Sequence, residues 1–251
     1  MPMTNREGVE RFLPNQYQLL TVKDVQRDEA AIIEVLSGIM SGKIPNDLEL
    51  LNYYREIPVS FGATIERVEG GVVDMTVHEL QSVTMQLQNM TLVKSRHLPH
   101  CVIARVLKID RKLDLALLTQ FSYVHIPAEQ RMYVRVIVSD RVEAVFHADG
   151  ESVRGTISDF SYGGVAILAP QGTLFRENAR GIITLSLPGD EIDVTGIFLR
   201  ANDQNPLRRY IFKLETDKKN ERIISQFLFG QQVKILRELK DMCLIRGHGL
   251  P

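Results

Sequence analysis

Short runs of alternating apolar and polar residues, separated by turn residues, constrain the fold of this 251-residue chain more than any other feature. In the first half, from Ile57 onward, the runs are VSFGATIERV, GGVVDMTV, TMQLQNMTLV, HCVIARVLKI and LALLTQFSYV, and EGG, HELQS, SRHLPH and DRKLD have the composition of turns. Alternation with a period of two is typical of strands that bury one face. The first half is therefore predicted to be mainly β, and the even spacing of its strands favours a small barrel.

The same alternation returns beyond HIPAEQ, a polar segment with a proline at residues 125–130. The later runs are MYVRVIV, EAVFHA, SVRGTIS, GVAILA, GIITLSL, EIDVTGIFLR and RYIFKLE. They predict a second antiparallel barrel, and the polar interruption predicts a domain boundary. We expect two small split β-barrels, one in residues 1–125 and one in residues 126–251.

Two segments have the spacing of helices. Between Asp28 and Met40, five apolar residues recur at the spacing of one helical face, and Gly42 and Pro45 follow at the end. Between Arg222 and Cys243, apolar residues recur mostly three, four or seven positions apart. The chain is therefore predicted to have a short N-terminal helix and a C-terminal amphipathic helix.

The composition excludes several classes of protein. A net charge of -1 gives no overall field that would attract nucleic acid or an anionic membrane. Cys101 and Cys243 are too few and too far apart for a disulfide framework. The N-terminus lacks an export signal, and no apolar stretch is long enough to span a membrane. We expect a cytoplasmic protein that is not inserted in a membrane.

Two pairs of arginines have the spacing R-x-x-x-R, namely Arg131 with Arg135 and Arg176 with Arg180. The second pair lies in a polar connection and is interpreted as solvated surface. The first pair follows the boundary segment, where we expect Arg131 to open the first strand of the second barrel. Residues four apart on a strand face the same side, so both guanidinium groups could reach one phosphate or guanine.

A polar hairpin with the sequence DFSYGG follows at residues 159–164. An ionised Asp159 accepts hydrogen bonds only, so it could bind the N1–H and N2–H groups of a guanine, and Ser161 could donate or accept. Gly163 and Gly164 allow a positive φ and a close approach of the backbone to a ligand. An ordinary turn is the alternative interpretation of these residues alone.

Taken together, Arg131-Met-Tyr-Val-Arg135 and Asp159-Phe-Ser161-Tyr-Gly-Gly164 resemble the signature of the PilZ family, R-x-x-x-R followed by D/N-x-S/A-x-x-G. The resemblance implies a receptor for cyclic-di-GMP with no other cofactor. It also implies that the arginines hold phosphates and stack on or bond to guanine, that Asp159 and Ser161 read a guanine edge, and that Gly164 forms a close turn.

The order of the predicted domains resembles the flagellar brake proteins of the YcgR type. This resemblance implies control of motility through a protein of the flagellar motor or basal body, with recruitment from the cytoplasm to that structure. Several family members have an arginine before the first signature arginine, which helps to hold a stacked ligand dimer, whereas this chain has Gln130. We therefore expect one ligand per chain. Whether the protein is a monomer or a homodimer stays open.

The sequence gives little support for an enzyme. It lacks a phosphate-binding G-x-x-x-x-G-K-[ST] loop, a G-x-S-x-G elbow, an H-E-x-x-H motif and the GGDEF and EAL strings. His97, His100 and Cys101 are close in sequence but lack a second ligand cluster, so no metal site is predicted. The alternative function is a cyclic-di-GMP-responsive transcription regulator, but DNA binding is not expected because no helix has a dense basic face. Control of biofilm or polysaccharide is a further possible output.

Overall fold

A computed structural model describes residues 17–204 and 206–245 of the chain. These residues form three α-helices, one 3-10 helix and fifteen strands in two antiparallel sheets. The mainly β fold with a helix near each end agrees with the sequence prediction. In the first sheet the strands are β1 (Gln18–Leu20), β2 (Glu49–Tyr54), β3 (Ile57–Gly62), β4 (Thr64–Glu69), β5 (Val72–Thr76), β6 (Met90–Lys94), β7 (Cys101–Asp110) and β8 (Leu115–His125).

The first sheet is open and has the order β3-β2-β6-β7-β8-β5-β4, with β1 paired to β8. Hairpins connect its neighbouring strands where the sequence permits tight turns. Between β4 and β5, for example, Gly70 and Gly71 both have positive φ values, of 57° and 78°. Glycine adopts this conformation at no steric cost, and it matches the twist of the paired strands. The first half is therefore a half-barrel sheet.

Helix α1 (Val25–Met40) packs against this sheet. It begins where the Asp24 side chain accepts a hydrogen bond of 2.8 Å from the backbone N–H of Arg27, which satisfies an otherwise unpaired donor of the first turn. Its buried face includes Ile32, Leu36 and Ile39, which belong to the largest core cluster of the sheet. The face predicted from the spacing is thus the packed face, although the helix begins earlier than Asp28.

Helix α2 (Glu79–Gln88) contradicts the sequence prediction, which assigned HELQS to a turn and TMQLQNMTLV to a strand. The His78 side chain caps its first turn, and Asn89 ends it in the left-handed conformation, with φ of 54°. Glutamate, leucine, glutamine and methionine are good helix formers, and alternating apolar residues in so short a segment do not exclude a helix. Only the end of the predicted strand, β6, is extended.

The second sheet closes into a barrel. Its strands are β9 (Arg135–Ile137), β10 (Glu143–Ala148), β11 (Glu151–Ser161), β12 (Gly164–Pro170), β13 (Arg180–Leu187), β14 (Asp190–Gln204) and β15 (Leu207–Glu215). The order is β10-β13-β14-β15-β12-β11, and β10 also pairs with β11, so these six strands form a closed ring. Strand β9 pairs with the last three residues of β11, Asp159 to Ser161, beyond the part of β11 that pairs with β10. The interior is rich in aromatic rings, and those of Phe146 and Phe212 lie 4.5 Å apart.

The last helix, α3 (Lys218–Ile245), agrees with the predicted C-terminal amphipathic helix. Ile224, Leu228, Ile235 and Leu239 are all buried along it. In the described part of the chain, no helix has the length and apolar character needed to cross a membrane.

The described chain divides into two compact units. The first comprises the described residues up to Tyr54, Pro58–Arg131 and the end of α3 from Glu238, and the second comprises Arg55–Ile57 and Met132–Arg237. The predicted domains, residues 1–125 and 126–251, stay a prediction. The 3-10 helix (Pro127–Gln130) occupies the segment that was predicted to join them.

Candidate functional site

The candidate site lies on the second unit, where β9 pairs with the end of β11. Arg135 is opposite Ser161, and Ile137 is opposite Asp159. The intervening Phe160 and Val136 are fully buried in the barrel, so the residues on either side of each face outward. Strand pairing therefore places one arginine, one carboxylate and one hydroxyl of the two predicted motifs on the same outer patch.

The hairpin between β11 and β12 is tighter than the sequence predicted. Its turn contains only Tyr162 and Gly163, because β11 continues to Ser161 and β12 starts at Gly164. The Ser161 hydroxyl donates to the Gly164 carbonyl across a distance of 3.2 Å. Asp159 and Ser161 therefore both lie on the paired end of β11, beyond a register shift between Ile157 and Asp159, and this pairing fixes their direction.

The two glycines of the hairpin are required by space and not by backbone conformation, since neither has a positive φ. A Cβ atom on Gly164 would lie 2.7 Å from the backbone oxygen of Phe212 on β15. A Cβ atom on Gly163 would lie 2.9 Å from the Tyr133 ring. Both glycines thus allow a close approach to other parts of the protein, and the positive φ that the sequence permits is not adopted at either position.

Asp159 is the centre of the site. Its side chain is 12% exposed, and its Oδ1 atom lies 3.2 Å from Arg135 Nε. Its Oδ2 atom accepts hydrogen bonds from Arg209 Nη2 at 2.5 Å, Arg209 Nε at 3.2 Å and the Ser158 hydroxyl at 2.9 Å. Charge-assisted bonds of this kind are strong, so the carboxylate is held firmly between two guanidinium groups.

Arg209 was missed by the sequence analysis, which assigned RYIFKLE to a strand and gave its first arginine no role. Adjacent residues of β15 point to opposite sides of the strand, and the neighbouring Arg208 pairs with Asp203 instead. Arg209 is opposite Leu168 of β12, and Asp159 is opposite Ala166 of the same strand. Only this register across three strands brings Arg209 to Asp159, and no local pattern in the sequence shows it.

Gln130 and Arg131 belong to the first compact unit, while the other candidate residues belong to the second. Gln130 ends the 3-10 helix, and the backbone N–H of Arg131 donates to the carbonyl of Ala128. The expected strand from Met132 to Val138 is shortened to Arg135–Ile137. The prediction that Arg131 opens a strand is therefore wrong, because the 3-10 helix and a bend occupy the residues before Arg135.

The rings of Tyr133 and Tyr162 are adjacent, with their centroids 5.3 Å apart. Tyr133 is 43% exposed and Met132 before it is 84% exposed. An exposed aromatic ring beside this hairpin is a surface on which a planar base can stack. The patch thus combines guanidinium groups, a carboxylate, a hydroxyl and an aromatic face.

A comparison with protein families matches residues 129–230 to the PilZ domain model. The chain contains a PilZ domain. All the candidate residues from Gln130 to Gly164 lie within the matched range. The resemblance inferred from the two motifs is confirmed for this part of the chain. No curated protein is similar enough in sequence to count as a match.

Solved structures to which this chain is similar include YcgR of Escherichia coli in complex with c-di-GMP, at 10% identity and a TM-score of 0.41, covering 85% of this chain and 95% of that one. The Bacillus subtilis inhibitor of motility MotI/DgrA is 15% identical, with a TM-score of 0.38, covering 75% and 97%. MrkH of K. pneumonia in complex with c-di-GMP is 13% identical, with a TM-score of 0.43, covering 89% and 100%.

His97, His100 and Cys101 lie on the first compact unit. Among the residues that the structure describes, no three histidine, cysteine or acidic side chains are grouped to hold a metal. His100 and Cys101 line an open pocket of about 350 Å³ together with the ion pair of Lys94 and Glu129. Burial, followed by the charge of Glu129, raises the pKa of the Cys101 thiol to about 12. A thiol in this state is a poor nucleophile.

Proposed function

We propose that the protein is a receptor for cyclic-di-GMP that acts by binding and not by catalysis. The observation that supports this proposal most strongly is the outward-facing patch of Arg135, Asp159 and Ser161 on the PilZ domain, beside the Gly164 hairpin. Two stretches of sequence that are separated by 23 residues contribute to it, Arg135 on β9 and Asp159 to Gly164 on the hairpin of β11 and β12. A patch with both positive and negative groups suits a ligand that has phosphates and guanine edges.

In the proposed complex, Arg135 binds a phosphate or the O6 and N7 atoms of a guanine through its planar guanidinium group. Asp159 accepts from the N–H groups of a guanine, which adenine cannot supply at the same positions. Arg131 contributes the second guanidinium group from the segment before β9. Gln130 is uncharged and cannot help to neutralise the four phosphate charges of a stacked ligand pair, so one ligand binds per chain.

The segment from Ile126 to Val134 gives this binding a mechanical consequence. It contains the 3-10 helix and Arg131, and it leads directly into β9. A ligand held by both Arg131 and Arg135 restricts this segment, and therefore restricts the freedom of one half of the protein relative to the other. The proposed output is the exposure or burial of a surface for a partner, with control of flagellar motility as the physiological result.

Calorimetric titration of the purified protein with cyclic-di-GMP tests the receptor proposal, because it yields affinity and stoichiometry together. We expect saturable binding that Asp159→Ala abolishes or weakens strongly. The matched control is Asp203→Ala, which removes a carboxylate that also pairs with an arginine but lies outside the patch. Wild-type protein that shows no binding at high micromolar ligand, while correctly folded, would refute the proposal.

The output is tested separately. We expect cyclic-di-GMP to change the recovery of flagellar motor proteins in a pull-down from cells, and to leave the mobility of DNA fragments unchanged. A ligand-dependent shift of DNA with no effect on motor proteins would favour a transcription regulator and contradict the motility output. The receptor proposal does not depend on this result.

A further inference from the structure

The two oxygens of the Asp159 carboxylate have different environments. Oδ2 is fully occupied, since Arg209 donates to it through two nitrogens and Ser158 donates through its hydroxyl. Oδ1 lies 3.2 Å from Arg135 Nε. A carboxylate oxygen has room for about two acceptor bonds, so Oδ1 can take a donor from a ligand far more readily than Oδ2.

The two arginines also differ in how firmly the fold holds them. Arg209 lies within β15, which is paired with β12 on one side and β14 on the other, and its side chain is 18% exposed. Arg135 begins a three-residue edge strand, and its side chain is 33% exposed. Side chains at exposed strand ends are freer to reorient than those in the middle of a sheet. Arg135 is therefore the partner of Asp159 that a ligand can replace, whereas Arg209 keeps its contact with Asp159.

We infer that Arg209 is a positioning residue that anchors Oδ2, so that Oδ1 faces the ligand and accepts a guanine N–H when Arg135 turns to the ligand. This inference rests on the proposed function and adds a residue outside the two signature motifs. Arg209 itself does not contact the nucleotide. It affects the affinity, and the preference for guanine over adenine, only by positioning the Asp159 carboxylate.

The neighbouring Arg208 supplies a matched control. It lies on the same strand, is 15% exposed, and pairs with Asp203 at 2.6 Å rather than with Asp159. Arg209→Gln and Arg208→Gln thus remove the same charge from equally buried positions one residue apart. We expect Arg209→Gln to weaken cyclic-di-GMP binding by about tenfold or more, the equivalent of one charge-assisted hydrogen bond. Arg208→Gln should weaken it less than about threefold.

The decisive measurement is the coupling between Arg209 and Asp159. In an Asp159→Asn background, which has no carboxylate to anchor, Arg209→Gln should cost less than about threefold in affinity. The preference for cyclic-di-GMP over cyclic-di-AMP should fall in Arg209→Gln and stay unchanged in Arg208→Gln. Arg209→Lys, which retains the charge but not the fork, should recover part of the loss. Thermal unfolding of each variant checks its folding, and if Arg209→Gln is unfolded, Arg209→Lys replaces it in the same cycle.

Several outcomes would overturn the inference. The first is an equal loss from Arg209→Gln in the wild-type and Asp159→Asn backgrounds, which would mean that Arg209 contacts the ligand or acts only through the fold. The second is equal weakening by Arg208→Gln and Arg209→Gln. A folded wild-type protein that does not bind cyclic-di-GMP would instead refute the proposed function, so the two failures are distinguishable.

Discussion

The Tyr133 ring lies directly against Gly163, in the turn between β11 and β12. A Cβ atom on Gly163 would meet only the ring of this half-exposed side chain, at 2.9 Å. On Gly164 it would meet the backbone oxygen of Phe212 on β15 at 2.7 Å. A methyl group would therefore meet a movable side chain at Gly163 and the fixed backbone of a paired strand at Gly164.

This difference predicts opposite tolerance to alanine. Gly164→Ala should lower the free energy of unfolding by about 1–3 kcal/mol, because β12 and β15 must separate to admit the methyl group. Gly163→Ala should cost less than about 1 kcal/mol, because the Tyr133 ring can rotate away. Gly230→Ala is the control, since Gly230 lies in α3 with open space around it and alanine should stabilise the helix by up to about 1 kcal/mol. Denaturant unfolding measures all three, and equal losses at both hairpin glycines would contradict this explanation.

The candidate arginines give a second prediction. Arg135→Ala should reduce cyclic-di-GMP affinity by about tenfold or more, because it removes a charge-assisted contact, while changing thermal stability little. Arg131→Ala should have a similar effect. Arg176→Ala is the control for the R-x-x-x-R pattern, and titration calorimetry is the measurement. If Arg176→Ala weakens binding as much as Arg135→Ala does, Arg131 and Arg135 are not the pair that binds the ligand.

The residue before the signature gives a third prediction. Wild-type protein should bind one cyclic-di-GMP per chain, and Gln130→Arg should raise the ratio towards two, because the added guanidinium offsets phosphate repulsion in a stacked ligand pair. Gln130→Lys is the informative comparison, since it adds charge without a planar fork. A ratio of two in the wild-type protein would show that Gln130 does not set stoichiometry.

The segment between the two halves gives a fourth prediction. Saturating cyclic-di-GMP should protect the amides from Ile126 to Val134 against hydrogen exchange, in addition to those from Asp159 to Gly164. A Gly-Ser insertion between Pro127 and Glu129 breaks the 3-10 helix and should preserve much of the affinity while abolishing the partner response. Unprotected amides together with unchanged solution scattering would contradict the hinge mechanism and leave the receptor proposal intact.

The Cys101 thiol gives a fifth prediction. A pKa raised to about 12 leaves almost no thiolate at pH 8, so alkylation of Cys101 should be slower than in the unfolded chain by about a hundredfold or more. The reaction is slowed and not accelerated, because a raised thiol pKa lowers the fraction of reactive thiolate at any pH below that pKa. Mass spectrometry of iodoacetamide-labelled Cys243→Ser protein measures this rate. Rapid labelling of the folded protein at pH 8 would contradict it.

Local sequence patterns determined a large part of this structure. The period-two runs predicted two β assemblies because alternation is a property of successive residues on any half-buried strand. The spacing of Ile224, Leu228, Ile235 and Leu239 likewise predicted the buried face of α3. The two motifs led to Arg135, Asp159, Ser161 and Gly164, which the fold places together on the PilZ domain.

Local patterns failed where two structures satisfy the same spacing. The segment that forms α2 has apolar residues that suit both a short strand and a short helix, and packing against the sheet selected the helix. The strand expected around Arg131 was lost because the 3-10 helix turns the chain before β9. The contacts that decide α2 are with residues distant in sequence, whereas the 3-10 helix is closed by local hydrogen bonds such as that from the Arg131 N–H to the Ala128 carbonyl.

The role of Arg209 could be decided only by the tertiary structure. Sequence shows two adjacent arginines, Arg208 and Arg209, with equal local chemistry. Which of them faces Asp159 depends on the register of β11, β12 and β15, and a shift of one residue would exchange them. The sequence therefore determined which groups are available for binding a ligand. The register of the barrel decided that Arg209, rather than Arg208, holds the carboxylate, because strand pairing acts between residues far apart in the chain.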